Sequence, residues 1–321
     1  MNCRSPVTMV VVTCATRLEL TMNNLKSAVS FSRAPLRLLL YADVENIKRL
    51  QDRIREWPSS VLQRVTYSLR LVEFPIKSPH NWKELFGPCA SQRLFLPSML
   101  SEEDAVLYVD SDIVFFRPVE ELWSIFDNMD DIQLAGLAPD VEDNNGSVYM
   151  HNWKTRYYGR YGLNSGVILM NLTRMRAYGL ESIVTNLMNK YHSVMKLPDQ
   201  DLLNMVFHDD PGRLYELPCR WDVLPPDCRA PASCLGQTAA SLHGTDQFFV
   251  FPGREPAYHA VFLAMKKYQL GSSLEQNFIG VLDRSLRSLN QTVCVGKLLG
   301  YLGHWRTLAR LMDVEKDWKA S

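Results

Sequence analysis

Several things are missing from this sequence, and each absence narrows the reading. No apolar run approaches the roughly 20 residues that a helix needs to cross a bilayer, so no membrane span is expected. The amino terminus lacks the basic-then-apolar pattern of a secretory leader. The expectation is a soluble chain, with any membrane anchor lying outside it. Lys+Arg and Asp+Glu number 35 each, for a formal net charge of zero. That argues against a broad basic face, so nucleic acid is not an expected partner. None of the seven cysteines forms a C-x2-C pair, which speaks against a zinc site. Internal repeats and low-complexity linkers are also absent. What remains is 321 residues, 46% of them hydrophobic, enough to bury the core of one large domain.

The cysteines that are present have a pattern. Cys219, Cys228 and Cys234 crowd into "CRWDVLPPDCRAPASC", where disulfides fit better than metal, with Cys294 as a fourth candidate. Cys14 lies in an apolar strand and reads as an inert buried thiol. Sequons at Asn145, Asn171 and Asn290 agree weakly with a secretory lumen.

Along the chain, strand and helix patterns alternate. "VTMVVVTC" (7–14) reads as a buried parallel strand. Leu18, Met22, Leu25 and Val29 then recur at helical spacing. "LRLLLYAD" (36–43) is a second strand, 44–57 a charged helix closed by Pro58, and "VTYSLRLVEF" (65–74) a third strand. "CASQRLFLPSML" (89–100) reads as a helix broken or kinked near Pro97. It leads into "AVLYVDSD". This alternation predicts a Rossmann-like, mostly parallel open sheet of the α/β class flanked by helices. In such sheets ligands bind beyond the carboxyl ends of the strands. Thr13, Asp43, Asp110 and Asp112 all fall at such ends. Further strands are expected at 133–139 and 165–172, and helices at 181–191 and from 199. Residues 208–256 are rich in Pro, Gly and Cys, and 257–318 form a helical tail. The expected division is 7–112 for nucleotide, 113–256 for metal, sugar and acceptor, and 257–321 for the tail.

The stretch "VLYVDSDIVFF" (106–116) poses the chemical question. Two carboxylates break an apolar run, and burying them is costly unless something compensates. Two residues apart in extended chain, they lie about 6.5–7 Å from each other and project to one side. One divalent cation with oxygen ligands can neutralise both and grip a diphosphate at the same time. Solvated turn residues are the ordinary alternative.

Five motifs now occur in order: "CASQRLFLP", "LYVDSDIVFFRPV", "GLNSGVILMNLTRMR", "DQDLLNMVF" and "LHG" (242–244). Together they resemble the retaining glycosyltransferases of family eight, the glycogenin-like enzymes of GT-A fold. The spacing of Cys219, Cys228 and Cys234 is most similar to the glucoside xylosyltransferase branch.

The resemblance implies one GT-A catalytic domain over 1–321. It also implies transfer of xylose from UDP-xylose to O-linked glucose on EGF-like repeats, in an α-1,3 linkage. Asp110 and Asp112, with Ser111 between them, match the metal pair. His243 is the third ligand, for Mn²⁺ or else Mg²⁺, and Gly244 allows close approach of a phosphate. Thr13, Cys14 and Ala15 stand where the family holds the uridine. Arg93 stands where it reaches the donor sugar or its phosphates. Asn164, Ser165 and Gly166 match the sugar-binding "NSG". Asp199 and Gln200 match the acid–amide pair near the anomeric carbon, whereas Asp201 is as well explained by capping. One departure stands out. The family has a lysine after the metal histidine, and here the nearest equivalent is Arg254. The family also implies the lumen of the Golgi or endoplasmic reticulum, as a type II membrane protein in full-length form. Alternatives are a different UDP-sugar donor, a xyloside acceptor, or an inactive sugar-binding protein of the same fold. Trp153, Tyr157, Tyr158 and Trp221 are candidates for stacking on acceptor sugars, or for the core.

Overall fold

Residues 6–73, 89–141, 147–151, 153–225, 228 and 237–318 are described by a computed structural model. The run VTMVVVT forms β1 (Val7–Thr13), buried along its whole length as befits a strand covered on both faces. Leu18, Met22, Leu25 and Val29 form the core side of α1 (Leu18–Phe31). This helix returns the chain to β2 (Leu36–Ala42). Asp43 ends that strand and caps α2 (Val44–Arg55), its side chain accepting from the backbone N–H of Asn46. Then comes β3 (Val65–Leu71), a half-exposed edge strand. Helix α3 (Gln92–Met99) keeps Pro97 inside its last turn instead of breaking there. Arg176 takes up the carbonyls of Pro97, Leu100 and Glu103 at that end.

β4 (Ala105–Val109) leads through the aspartate turn to β5 (Ile113–Phe115). β6 (Ala135–Pro139) and β7 (Leu163–Asn171) follow, then helices α4 (Leu172–Tyr178), α5 (Leu180–Tyr191) and α6 (Pro198–Asp209). β8 (Leu214–Glu216) and β9 (Ser241–His243) are short. Among the described residues the main sheet has seven strands in the order β3-β2-β1-β4-β7-β6-β8. Only β7 runs against its neighbours in it. β2 and β4 flank β1 on opposite sides, so a crevice opens beyond their carboxyl ends. The expected mostly parallel sheet is therefore present. β8, and the separate β5–β9 pair, escape the sequence pattern because three residues carry no readable period.

The tail is helical as expected, in α7 (Pro256–Lys267), α8 (Gly280–Ser288) and α9 (Val293–Trp318). It packs on α1 and on the small sheet. Phe116, just past β5, stacks on Trp305 of α9 with ring centroids 3.8 Å apart. The indole Nε1 of Trp305 donates to the Ala239 carbonyl at 2.9 Å, two residues before β9. Lys26 of α1 donates to the carbonyls of Met265, Lys266 and Tyr268, closing the carboxyl end of α7. Burial pushes its pKa down to about 8.

Candidate active site

The turn after β4 is pinned on both sides by backbone bonds. The N–H of Asp110 donates to the Gly166 carbonyl of β7 at 2.8 Å, extending the main ladder by one residue. The Asp112 carbonyl accepts from the N–H of Gly244 at 2.8 Å, just past β9. These two bonds bring His243 against the carboxylates. Its Nε2 lies 3.6 Å from Asp112 Oδ1 and 4.0 Å from Asp110 Oδ2. One ligating atom from each of the three residues lies within 4.8 Å of the others. On the far side of the ring, Nδ1 is 2.8 Å from Oδ1 of Asp222, whose side chain is fully buried. An ionised carboxylate only accepts, so Nδ1 carries a proton, and Nε2 is the ring nitrogen turned towards the two aspartates, where it can hold a proton or ligate a cation.

The electrostatics point the same way. Burial works against a charge on His243, yet Asp222 and then Asp112 outweigh it and raise its pKa well above the usual imidazole value. Burial likewise works against a charge on Asp112, yet His243 and Arg17 hold its carboxyl well below the usual range. The site draws positive charge. Two carboxylate oxygens and one imidazole nitrogen are also a donor set that a divalent cation such as Mg²⁺ or Mn²⁺ accepts. The residues therefore fit a divalent metal.

Arg93 organises the neighbouring groups. It is buried, with its Nη2 2.7 Å from Asp110 Oδ1 and its Nε 3.0 Å from Asp199 Oδ2. Its Nη1 donates to both the carbonyl and the hydroxyl of Ser165. The guanidinium lies over the Tyr108 ring, and the Tyr108 hydroxyl donates to the same Asp110 oxygen at 2.8 Å. Burial raises the pKa of Asp199 and Arg93 pulls it back. Gln200 Oε1 accepts from the N–H of Ser165 at 3.1 Å. Asn164 donates to Asp140 at 3.1 Å and accepts from the N–H of Gly166. All these groups except Gly166 face one cavity of about 490 Å³.

Residues 25–240 match the model of glycosyl transferase family 8. Glucoside xylosyltransferase 1 of Mus musculus is 38% identical over 298 residues, covering 88% of this chain and 73% of that protein. The chain belongs to glycosyl transferase family 8. The Danio rerio glucoside xylosyltransferase 1 is 35% identical over 324 residues, covering 97% and 78% of the two chains. Among solved structures, mouse xyloside xylosyltransferase 1 superposes with a TM-score of 0.58 at 19% identity, over 76% of this chain and 99% of that one. The galactosyltransferase LgtC does so at 0.59 and 18% identity, over 84% and 99%. The fold is GT-A, and the protein is a glycosyltransferase.

In this family 8 enzyme the two site glycines are explained by packing. A Cβ on Gly166 would overlap Cε1 of His243 and lie 2.6 Å from its Nδ1, so the imidazole occupies the space of the missing side chain. A Cβ on Gly244 would overlap the Phe249 ring. The Phe249 ring thus accounts for a glycine at this position.

Thr13, Cys14 and Ala15 do not line this cavity. The Thr13 hydroxyl pairs with that of Thr21 at 2.9 Å. Ala15 adopts a left-handed φ of 51° and donates its N–H to Asp43 at 2.7 Å. Cys14 is no inert thiol: it forms a disulfide with Cys89, because it lies just past the end of β1 where the chain before α3 comes close. Cys228–Cys294 is the second pair, and Cys219 is also disulfide-bonded. Cys234 and Asn145 lie outside the described residues. Arg254 is exposed, with its guanidinium over the Phe248 ring and away from the cavity. Asp201 accepts from the N–H groups of Lys196 and Leu197 ahead of α6, so capping is its local role. Trp221 is core, fully buried, whereas Trp153 lines the cavity.

Sequence reasoning passed over five charged residues here: Arg17, Asp140, Lys196, Asp222 and Asp246. Arg17 alone left a signal, a basic residue one turn past a strand end. Burial pushes the pKa of Asp140 up to about 6, with Asn164 opposing.

Proposed function

We propose that this glycosyltransferase moves xylose from UDP-xylose to O-linked glucose on EGF-like repeats, in an α-1,3 linkage with retention at the anomeric carbon. Identities of 35–38% to proteins named glucoside xylosyltransferase support the donor and the acceptor. The observation that carries the chemistry is the convergence of Asp110, Asp112 and His243 beside the Arg93–Asp199 pair. Mn²⁺, or Mg²⁺ in its place, held by those three side chains would supply Lewis-acid stabilisation of the departing diphosphate. Asp222 fixes the imidazole tautomer. Arg93 and Tyr108 fix Asp110. Arg93 also keeps Asp199 towards its ionised form against the pull of burial, on the side of the cavity shared with Ser165 and Gln200. Asn164, Ser165 and Asp140 present polar atoms for sugar hydroxyls.

Retention follows either from double inversion through an enzyme nucleophile or from attack on the same face. Asp199 is the candidate nucleophile for the first route, and a xylosyl ester trapped on it would decide for that route. Working in the lumen of the Golgi or endoplasmic reticulum agrees with the disulfides. No helix among the described residues is long and apolar enough to cross a membrane. The direct test is mass spectrometry of an O-glucosylated EGF repeat incubated with the protein, UDP-xylose and Mn²⁺. A gain of one pentose is expected. A hexose gained faster from UDP-glucose would refute the donor, and a pentose gained only on a xyloside would refute the acceptor.

A further inference from the structure

Each metal-site aspartate shows one oxygen to His243 and gives the other to an arginine, but the two arginines differ. Asp110 gives Oδ1 to Arg93, and Asp112 gives Oδ2 to Arg17 at 2.8 Å. The Arg93 side chain is 5% exposed, and its Nε, Nη1 and Nη2 are all engaged by protein atoms. The Arg17 side chain is 43% exposed and lines the cavity at the metal end. Its Nη1 bonds Asp112, while its Nε and Nη2 make no hydrogen bond among the described residues. A guanidinium has five N–H donors, so most of this one is uncommitted.

The backbone beneath it is held. Arg17 ends the short helical turn Ala15–Arg17, and its N–H donates to the Cys14 carbonyl at 3.1 Å. The turn is tied down by the Cys14–Cys89 disulfide and by the bond from Ala15 to Asp43. A cation is thus aimed across the crevice at the place where the metal site faces open space. Arg254, the nearest equivalent of the basic residue that the family resemblance puts after the histidine, lies over the Phe248 ring and does not line this cavity.

We propose that Arg17 grips the leaving diphosphate of the sugar nucleotide, its Nε and Nη2 donating to phosphate oxygens while Nη1 keeps Asp112 oriented. The inference rests on the reading of this cavity as a nucleotide-sugar site. When the bond between the anomeric carbon and the phosphate oxygen breaks, the electron pair stays on that oxygen and the diphosphate gains charge. A planar guanidinium fixed beforehand binds that charge better than it binds the intact donor.

The test is calorimetric titration with UDP, UMP and uridine at saturating Mn²⁺, on wild type, R17A and R17K. Arg17→Ala should weaken UDP about 10- to 100-fold, the range of a lost charge-assisted hydrogen bond, and leave uridine unchanged. Arg17→Lys should recover part of the UDP affinity, since a point charge replaces the fork. Unchanged uridine binding also reports that the variant is folded. Equal losses for UDP and uridine would overturn the proposal. So would a fall in Mn²⁺ affinity with UDP binding intact, because Arg17 would then serve Asp112 alone. If wild type itself binds no UDP, the nucleotide-sugar reading fails first and takes this inference with it.

Discussion

One wall of the cavity is the carboxyl edge of β1 and β4; the facing wall is the β5–β9 pair with Asp222 behind it. The first rests on long strands whose ladders run unbroken, Val7 to Thr13 against Leu36 to Ala42. The second has three residues in each strand, too few hydrogen bonds to stand alone. It is held instead by side chains and cross-links: the Phe116–Trp305 stack, Phe249 filling the space at Gly244, and the Cys228–Cys294 disulfide. The first wall contributes Asp110 and Arg17, and the second contributes His243. The donor set exists only where the two meet, and the meeting is made by backbone bonds at Gly166 and Gly244.

The largest effect should come from wedging the walls apart. Gly166→Ala adds one methyl group inside the His243 ring, which is buried and bonded to Asp222 and so has nowhere to go. The imidazole must leave the aspartates. We expect kcat to fall about 10²–10³-fold, as when one preorganised electrostatic group is removed. Uridine affinity should hold, because Gly166 lies away from the β1 edge. Circular dichroism and Mn²⁺ titration check the cause. A folded G166A protein with wild-type Mn²⁺ affinity would show that the two walls are not coupled through this ring.

The same contrast explains what the sequence disclosed. The strands β1 to β4 and the helices between them follow from apolar runs and helical spacing, and Asp110 and Asp112 stand out because acids interrupt an apolar strand. The second wall is nearly silent. His243 and the "NSG" residues become visible only through resemblance to a family. Asp222 sits in a Pro- and Cys-rich stretch with no period, and its role is a contact with His243, 21 residues away in sequence. Arg17 meets Asp112 across 95 residues. Asp201 looks like the acid beside Asp199, yet it caps a turn. Such roles belong to pairings between distant segments, which local pattern does not encode.

A smaller effect tests the charge kept at the seam between the walls. Asp140 is buried at the end of β6, and its pKa is pushed up to about 6 from an ordinary 3.8. Between those values the folded chain holds more protons than the unfolded one, so stability falls as pH rises through the window. Above about pH 6 the cost is complete, and a shift of this size corresponds to about 3 kcal/mol. Asp140→Asn removes the titration and retains an oxygen to accept from Asn164. In chelator, D140N should be the more stable protein at pH 7, with the advantage fading as pH drops from 6 towards 4. Denaturant unfolding at several pH values measures this. An advantage that does not change with pH would mean that packing, and not charge, sets the difference.

The smallest expected effect lies outside both walls and sharpens the comparison by contrast. Asn290 is exposed in the connection between α8 and α9. Asn171, by comparison, ends β7 with its side-chain oxygen accepting from the N–H of Arg174, as the cap of α4. A sequon is glycosylated through its amide nitrogen, which must be reachable by a large enzyme, and a side chain fixed at a helix start is a poor substrate. Expressed through a secretory pathway, the protein should therefore carry glycan at Asn290 and none at Asn171. Asn290→Gln should remove one glycosidase-sensitive mobility shift while leaving turnover unchanged, since the residue touches neither wall. Peptide mass spectrometry reads both positions at once. A glycan at Asn171 would mean that the β7–α4 junction opens before it packs, and β7 is the strand on which Gly166 and the meeting of the two walls depend.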